Sequence, residues 1–367
     1  MIHSPSLLRS RKGLTRRPWF IPSSGRVAMP VLIMVLFVAG STRPSKSALL
    51  DTSGDWSVSG QNLSNTRYQA AEGTIGVHTV GNLAPKWSFT HGGNVTATPA
   101  VVGGAVYVPG WAGNLSKLDA TSGALIWSHA MSDYTGVPGA ISRTSPAVAN
   151  NTVFVGTLKG ADVVAVDATT GDLLWLRQLD THPYAQITQS PVVYNGVVYV
   201  GVSSDEEQAS TTGGYTCCTF RGSIAALDAT TGRPIWQSYT IPPNGGQPGG
   251  YSGAAVWSSS PVVDADRNAL YITTGDNYSV PSSVSTCIKQ AGGASCNASN
   301  DYFDSILALD LTTGDVKWAA KTVTADAWSW ACLSGPRSNC PLPAGPDFDF
   351  GAGANLFQAT INGRLQT

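Results

Sequence analysis

The nonapeptide Asp119-Ala120-Thr121-Ser122-Gly123-Ala124-Leu125-Ile126-Trp127 shows a pattern that recurs three more times in the chain. In every copy a Gly follows the Asp by four residues, a Trp follows the Gly by four, and an alternating apolar run precedes the Asp. The other copies occupy residues 167–175, 228–236 and 310–318. Further upstream, each copy has a Ser/Thr-Pro dipeptide, at Thr98-Pro99, Ser145-Pro146, Ser190-Pro191 and Ser260-Pro261. This repetition at fixed internal spacing indicates one structural unit used four times.

The repeated pattern predicts a hairpin followed by a strand that packs against the next unit. Its Asp accepts backbone N–H groups in the turn, and its Gly supplies the positive φ that a tight hairpin needs. The Trp on the following strand can then be buried against the neighbouring unit. Three to four strands at a period of about 40–60 residues are typical of a propeller blade. No amphipathic 3.6-residue period supports a helical solenoid.

We therefore predict an all-β fold, a β-propeller of four-stranded blades, over residues 49–367. About four blades are expected, with residues 347–357 as the opening strand of another. An unclosed propeller leaves sheet edges bare, so we expect the sequence to be truncated at its C-terminal side. The composition, with 40 glycines and 22 prolines, fits many strands and turns.

The charge is low, because 12 % of the residues are charged and the net charge is −1. No nucleic-acid partner is indicated.

Residues 1–48 are typical of a signal peptide. A basic region that includes Arg16 and Arg17 precedes the apolar run 27–40, and small residues follow it. An uncleaved anchor is the alternative, but the apolar run is short for a membrane span. We expect a secreted or periplasmic protein with no stable membrane span after cleavage.

The later repeats carry growing insertions, because successive repeat Trp residues lie 48, 61 and 82 residues apart. The insertions are residues 205–215, 242–250, 277–299 and 325–346. In a propeller such insertions collect on one face, which is usually the binding face. We therefore expect a site on that face.

Six cysteines lie in or beside these insertions. Local pairing of Cys287 with Cys296 and of Cys332 with Cys340 is the simplest of fifteen connectivities. Cys217 and Cys218 are adjacent, with Cα atoms about 3.8 Å apart, closer than the roughly 4.4–6.8 Å that bridged cysteines prefer. The residues alone leave open a strained bond between these two, two unrelated cysteines, or two long-range bridges.

Taken together, several stretches resemble the quinoprotein alcohol dehydrogenases, which are eight-bladed propellers that bind pyrroloquinoline quinone (PQQ). The resemblance is greatest to the polyvinyl-alcohol dehydrogenase branch and covers about residues 55–357. It rests on the four repeats and on residues 56–68, 217–222, 251–261, 274–277 and 347–350. The Cys-Cys pair with Arg221 three residues after it is the most specific of these features.

The resemblance implies a cofactor site. The residues that it assigns to PQQ are Cys217, Cys218, Arg221, Ser252, Gly253, Ala254 and Trp257. The resemblance implies that a vicinal disulfide stacks on one face of the quinone and that the indole of Trp257 lies in the pocket as the opposite face. The guanidinium would pair with cofactor oxygens, and the small residues would allow a close backbone approach.

The resemblance also implies Ca²⁺ with Asn277 as a ligand, and alcohol oxidation with Asp301 or Asp304 as the general base. The resemblance also leads us to expect a glutamate soon after residues 252–254. This glutamate is missing, because residues 255–263 contain no Asp or Glu. The expected partners are an alcohol, including secondary or polymeric alcohols such as polyvinyl alcohol, and a separate electron acceptor such as a cytochrome c.

The alternative is a non-catalytic propeller, either a scaffold or a degenerate relative. Under that interpretation the indole of Trp257 only packs, Arg221 pairs with Glu206, and the two Asp residues are solvated turn residues.

Overall fold

Four antiparallel sheets of four main strands recur along the computed structural model, which describes residues 54–293 and 295–366. Blade 1 contains β1 (Ala100–Val102), β2 (Ala105–Pro109), β3 (Asn114–Asp119) and β4 (Leu125–Ala130). The short helix α1 (Met131–Thr135) leads to blade 2, which contains β5 (Ala147–Ala149), β6 (Thr152–Gly156), β7 (Asp162–Asp167) and β8 (Leu173–Gln178). The predicted signal segment 1–48 lies outside the described residues.

Blades 3 and 4 carry additional short elements. Blade 3 contains β9 (Ala185–Gln186), β10 (Val192–Tyr194), β11 (Val197–Ser204), β12 (Ser223–Asp228) and β13 (Pro234–Tyr239), and α2 (Glu206–Ala209) follows β11. The pair formed by β14 (Ser252–Gly253) and β17 (Asn277–Ser279) flanks blade 4, which contains β15 (Val262–Asp264), β16 (Ala269–Thr273), β18 (Ser305–Asp310) and β19 (Val316–Lys321). Helix α3 (Ser282–Ala291) lies in the insertion before β18, and short 3₁₀ turns span Val80–Asn82, Trp330–Cys332 and Arg337–Asn339.

The repeat turns form as the sequence predicts. Asp119 Oδ1 accepts the backbone N–H groups of Thr121 at 3.0 Å and Ser122 at 2.7 Å, and Gly123 has a φ of 74°. The same contacts recur at the Asp residues of the other three turns. The all-β propeller of four-stranded blades is therefore confirmed.

The repeat Trp residues link each blade to the next. Trp175 Nε1 donates to the Ala229 carbonyl at 3.0 Å, and Trp236 Nε1 donates to the Leu311 carbonyl at 3.1 Å. Each ring packs on the repeat glycine of the following blade, because a Cβ at Gly232 or Gly314 would collide with the indole. Blade contacts therefore use both an apolar ring and one hydrogen bond.

Trp87 makes the same link into blade 1 although it stands outside the nine-residue pattern. Its Nε1 donates to the Ala120 carbonyl at 3.0 Å, and its ring lies against Gly123. An additional blade contact therefore precedes the first recognisable repeat.

The Ser/Thr-Pro dipeptides join the blades at their inner ends. The first strands of neighbouring blades approach one another, β1 with β5 and β5 with β10, so these strands are innermost. The backbone N–H of Thr98 donates to Ser145 Oγ, and that of Ser145 donates to Ser190 Oγ, both at 2.9 Å. Each hydroxyl thus satisfies the backbone of the preceding blade near the axis.

The insertions pack on one another and are held by disulfides. Cys287–Cys296 and Cys332–Cys340 form as predicted, and Cys217 is bonded to Cys218. The 325–346 insertion lies on the 205–215 insertion, where the Ala331 N–H donates to Ser210 Oγ at 3.0 Å. These contacts make the two insertions one continuous structure.

The chain after blade 4 differs from the prediction. Residues 347–357 form no strand. They are irregular, and a hairpin of β20 (Ala359–Ile361) and β21 (Arg364–Gln366) follows them. The irregular path has a physical reason, since the N–H groups of Asp347 and Phe348 donate to the Asp326 carboxylate instead of to a strand. In the described part of the chain, no helix is long and apolar enough to cross a membrane.

Candidate cofactor site

A cavity of about 200 Å³ lies at the ends of blades 3 and 4. The segment before blade 2, the end of β11, helix α2 and the loops around blade 4 supply its walls. The lining residues are Arg143, Gln186, Thr188, Ser203, Ser204, Glu207, Ala255, Trp257, Gly275, Asp276, Tyr278 and Asp349. One broad aromatic face, one guanidinium, several hydroxyls and three carboxyl groups therefore share one space.

The three carboxyl groups of the cavity are crowded. Burial, reinforced by the charges of Asp349 and Asp347, raises the pKa of Glu207 to about 8. Burial raises the pKa of Asp349 to about 6, and burial followed by the charge of Asp349 raises the pKa of Asp276 well above its usual range. Such crowding favours a bound cation, which would offset both the desolvation and the mutual repulsion of the carboxylates.

Among the lining residues, Asp276 has the oxygens that such a cation would contact. Its side chain is 1 % exposed, yet neither carboxylate oxygen has a hydrogen-bond partner within the protein. The Oδ1 atom of the neighbouring Asn277 is also buried without a partner. Buried carboxylate and amide oxygens without donors suit a hard cation such as Ca²⁺.

The protein side chains do not complete a metal site by themselves. Among residues 54–293 and 295–366, no group of three or more His, Cys, Asp or Glu side chains is arranged to hold a metal ion. Ca²⁺ takes six to eight oxygen ligands. The donors present therefore fit a cation that a cofactor's own oxygens help to coordinate.

Asp349 is held by one hydrogen bond and lies close to Trp257. The backbone N–H of Asp276 donates to its Oδ1 at 2.6 Å, whereas Trp257 Nε1 is buried without a hydrogen-bond partner. Gly275 lies between them, and a Cβ there would collide with Asp349 Oδ1 and lie 3.0 Å from Trp257 Nε1. The carboxylate is thus held beside the aromatic face of the cavity.

Only one of the site residues predicted from the sequence lines the cavity. Trp257 lines the cavity, whereas Cys217, Cys218, Arg221, Ser252, Gly253, Ala254, Asn277, Asp301 and Asp304 are not among its lining residues. Ala255 and Asp276, which do line it, are the direct neighbours of Ala254 and Asn277. The predicted residues therefore lie close behind the wall or in the adjoining insertion.

Arg221 and residues 252–254 are occupied by packing contacts. Arg221 Nη2 donates to the Ile241 carbonyl at 2.7 Å, and its guanidinium lies 4.0 Å from the centre of the Tyr239 ring. Ser252 Oγ and Ser279 Oγ are 2.8 Å apart, and the Ala254 N–H donates to the Asp276 carbonyl. The pairing of Arg221 with Glu206 under the alternative interpretation is wrong, because Glu206 binds other groups.

Asp301 and Asp304 are fully buried, so the interpretation of them as solvated turn residues is wrong. Asn277 Nδ2 donates to both carboxylate oxygens of Asp301, at 3.2 and 3.1 Å, and burial raises the pKa of Asp301 to about 6. Burial, followed by the charges of Asp326 and Asp349, raises the pKa of Asp304 to about 9. Both acids therefore belong to the buried polar layer behind the cavity.

The Cys217–Cys218 segment is held by Glu206. Its carboxylate accepts the Thr219 N–H at 2.8 and 3.0 Å, the Phe220 N–H at 2.7 Å and the Tyr215 hydroxyl at 2.5 Å. Burial raises the pKa of Glu206, but hydrogen bonds from His182, Tyr215 and Phe220 outweigh it and lower the pKa. The side chain is 0 % exposed.

Sequence reasoning named only Trp257 among the lining residues, and the charged and polar residues that it missed include Arg143, Thr188, Glu207, Asp276 and Asp349. Asp276 and Asp349 stand inside stretches that carried the resemblance, so proximity in sequence could have drawn attention to them. No acid follows residues 252–254 closely in sequence, but Glu207 of the 205–215 insertion lines the cavity. Only the three-dimensional contact of two insertions reveals this.

The sequence matches a known protein family. Residues 56–337 match the family described as PQQ, glucose/ethanol/alcohol dehydrogenase, β-propeller domain. The chain therefore belongs to this quinoprotein family of oxidoreductases.

Among its relatives, a polyvinylalcohol dehydrogenase of a Pseudomonas species is 30 % identical over 313 residues, which are 82 % of this chain and 45 % of the relative. The polyvinylalcohol dehydrogenase of Sphingopyxis sp. (strain 113P3) is 29 % identical over 334 residues, 86 % of this chain and 47 % of the relative. The crystal structure of a quinohemoprotein alcohol dehydrogenase from Comamonas testosteroni aligns with a TM-score of 0.65 at 25 % identity, over 87 % of this chain and 46 % of that one. The chain spans about half the length of these relatives.

Proposed function

We propose that this propeller binds PQQ in the cavity at the ends of blades 3 and 4 and oxidises alcohols there. The observation that carries the proposal is the convergence of the Trp257 ring, the Arg143 guanidinium and three carboxyl groups on one cavity. A planar tricarboxylate quinone suits an aromatic face and a guanidinium.

The cofactor would be held by residues of several blades. Trp257 offers a flat face for the ring system, and Arg143 is placed to pair with a cofactor carboxylate. Thr188, Ser203 and Ser204 supply hydroxyls at the same walls. The roles that the resemblance implies for Cys217, Cys218, Arg221 and residues 252–254 stay predictions, and from their positions they would act through the cavity wall.

Glu207 and Asp276 are the residues that we propose to hold Ca²⁺, with Asn277 Oδ1 behind them. Their donors are hard oxygens, and the buried oxygens of Asp276 and Asn277 lack protein partners. Completing the coordination through cofactor oxygens agrees with the absence of a three-ligand cluster among the described side chains.

Asp349 is the general base that the cavity favours over Asp301 and Asp304. When bound, PQQ accepts the hydride that the alcohol carbon loses. Asp349 faces the cavity and can take the hydroxyl proton, and its pKa of about 6 leaves it ionised at neutral pH. Asp301 and Asp304 do not line the cavity, so each would need a relay to reach an alcohol there.

The substrate and partners follow from the relatives by analogy. Two of the relatives are named polyvinylalcohol dehydrogenases, so we propose secondary and polymeric alcohols as substrates. Several large apolar side chains are exposed on and beside the 325–346 insertion, namely Trp330, Leu333, Leu342 and Phe348. They would suit the hydrocarbon backbone of a polymer. A separate acceptor such as a cytochrome c would take the electrons, in the periplasm or outside the cell.

Reconstitution tests the proposal. The purified protein is mixed with PQQ and Ca²⁺, quinone binding is measured by quenching of Trp fluorescence, and dye reduction is followed with a secondary alcohol. We expect binding that EDTA weakens, and alcohol-dependent dye reduction. Complete lack of quinone binding would contradict the proposal and favour the non-catalytic propeller.

Three matched variants then identify the base. Asp349→Asn should lower kcat by about 10²–10⁴-fold with little change in quinone affinity. Asp301→Asn and Asp304→Asn should keep most of the activity. A large loss at either of these residues, with Asp349→Asn active, would assign the base as the resemblance implies.

A further inference from the structure

We propose that Glu206 is a positioning residue for the cofactor cavity, because its buried carboxylate fixes both the segment 215–220 and the short helix α2 that carries Glu207. The two adjacent glutamates then have opposite tasks. Glu207 faces the cavity, and Glu206 faces the protein interior, where it is 0 % exposed. The proposal rests on the proposed function only for its measurement of quinone affinity.

The first contact set holds the segment that contains the vicinal disulfide. Both carboxylate oxygens of Glu206 are used: Oε1 accepts from the Tyr215 hydroxyl and the Thr219 N–H, and Oε2 accepts from the Thr219 and Phe220 N–H groups. His182 Nε2 adds a contact of 3.4 Å to Oε1. Donors therefore surround the carboxylate on both sides, and only an anion accepts at both oxygens.

The second contact set reaches the cavity wall. The backbone N–H of Glu206 donates to Ser204 Oγ at 2.8 Å, and Ser204 lines the cavity. The ring of Phe220 stacks on that of Tyr278, with centroids 6.3 Å apart and planes inclined by 25°, and Tyr278 lines the cavity as well. The buried carboxylate thus reaches Tyr278 through Phe220, whereas the backbone of the same residue contacts Ser204 and leads directly to Glu207.

An amide at this position cannot replace the carboxylate. In Glu206→Gln the NH₂ group, which is a donor, would face the N–H and O–H donors that now bind a carboxylate oxygen. The remaining hydrogen bonds would no longer involve a charged acceptor and would be weaker. The segment 215–220 would then open locally more often, and the cavity wall would lose its fixed geometry.

The test combines hydrogen exchange of the full chain without cofactor with the affinity for added PQQ. For Glu206→Gln we expect exchange in residues 203–208 and 215–221 to accelerate about tenfold. The Kd for PQQ, measured by Trp fluorescence quenching well below the unfolding temperature, should rise about tenfold. Tyr215→Phe removes one donor only and should give smaller changes in the same direction, which keeps the test available if Glu206→Gln fails to fold.

Two control variants separate positioning from general stability. Glu72→Gln changes a carboxylate that also accepts two backbone N–H groups, from Thr74 and Ile75, but on an exposed turn. Asp264→Asn disturbs a buried carboxylate of blade 4 that binds Arg267 and Tyr271. Neither control should alter exchange at residues 203–221 or the Kd for PQQ.

The outcomes are distinct. Unchanged exchange at residues 203–208 and 215–221 in Glu206→Gln would overturn the inference, and so would an equal acceleration in all four blades. An unchanged Kd despite accelerated exchange would overturn the link to the cavity. If the unmodified chain binds no PQQ, the proposed function fails, and exchange at residues 203–208 and 215–221 still decides whether Glu206 holds these segments.

Discussion

The backbone N–H of Asp276 donates a hydrogen bond of 2.6 Å to Oδ1 of Asp349, across 73 residues of sequence. The first of these residues lies between β16 and β17, and the second follows the disulfide-closed insertion 325–346. The cavity is therefore completed by a segment beyond the last repeat of the chain.

Gly275→Ala should displace Asp349. A Cβ at this position would collide with Asp349 Oδ1 and crowd Trp257 Nε1. We expect a loss of about 1–3 kcal/mol in the free energy of unfolding, as in other overpacked sites, together with weaker PQQ binding. Urea unfolding and fluorescence titration measure the two effects. Gly73→Ala is the matched control, since a Cβ there meets no atom within 4 Å, and equal losses in both variants would refute the steric argument.

Asp326→Ala should release the segment that carries Asp349. The Asp326 carboxylate accepts the N–H groups of Asp347 at 3.2 Å and Phe348 at 2.9 Å, and it is 2 % exposed. Its removal leaves both donors without a partner, so we expect a loss of about 1–3 kcal/mol in the free energy of unfolding. Asp326→Asn keeps one acceptor and should lose less. Thermal unfolding of the two variants checks this order, and the reverse order would contradict it.

The repeat made the fold predictable from sequence because each of its residues has a local task. The turn Asp binds the two N–H groups that follow it, the Gly adopts positive φ, and the Trp contacts the next blade. The nine-residue pattern does not identify Trp87, because no Asp-x-x-Ser/Thr-Gly turn precedes this residue. Its contact with blade 1 needs only the indole ring and the indole N–H. A motif search finds the turn, whereas the blade contact itself is recognised only in three dimensions.

The candidate site was harder to predict because its residues meet only in the folded chain. Trp257 was found from a local stretch of resemblance, but Glu207 comes from an insertion and Asp349 from the irregular segment 347–357, and no repeat dictates the path of either. The adjacent acids Glu206 and Glu207 illustrate the difficulty, since one is fully buried and the other lines the cavity. A helix of four residues, Glu206–Ala209, decides which acid faces which way, and no sequence period indicates its orientation.

Trp175→Phe tests the contact between blades. Trp175 is 8 % exposed and its Nε1 donates to the Ala229 carbonyl at 3.0 Å, so its replacement removes a buried hydrogen bond and part of the buried ring. We expect a loss of about 1–2 kcal/mol in the free energy of unfolding. Trp318→Phe is the control at the same repeat position, because Trp318 is 48 % exposed and should lose much less. Equal losses, measured by urea unfolding, would contradict this difference.

Asp162→Asn should stabilise the protein in a pH-dependent way. Asp162 is 5 % exposed at the start of β7, and burial raises its pKa from 3.8 to about 6. The folded chain therefore binds the proton more tightly than the unfolded chain, and stability falls as the pH rises from about 4 to about 6. Above that range Asp162→Asn should gain up to about 3 kcal/mol, and the gain should vanish near pH 3. Unfolding curves at a series of pH values measure this.

Asp264→Asn should show the opposite sign and serves as the control for this pH series. Burial raises the pKa of Asp264, but its hydrogen bonds and ion pair with Arg267, together with the Tyr271 hydroxyl, outweigh burial and lower the pKa below 3.8. The ionised carboxylate therefore contributes stability above the unfolded pKa, and this contribution is lost as the pH falls through the folded value. Asp264→Asn should be less stable than the unmodified chain at pH 7, and the difference should shrink in acid. Two variants whose stability shifts in the same direction at pH 7 would contradict the opposite pKa shifts of Asp162 and Asp264.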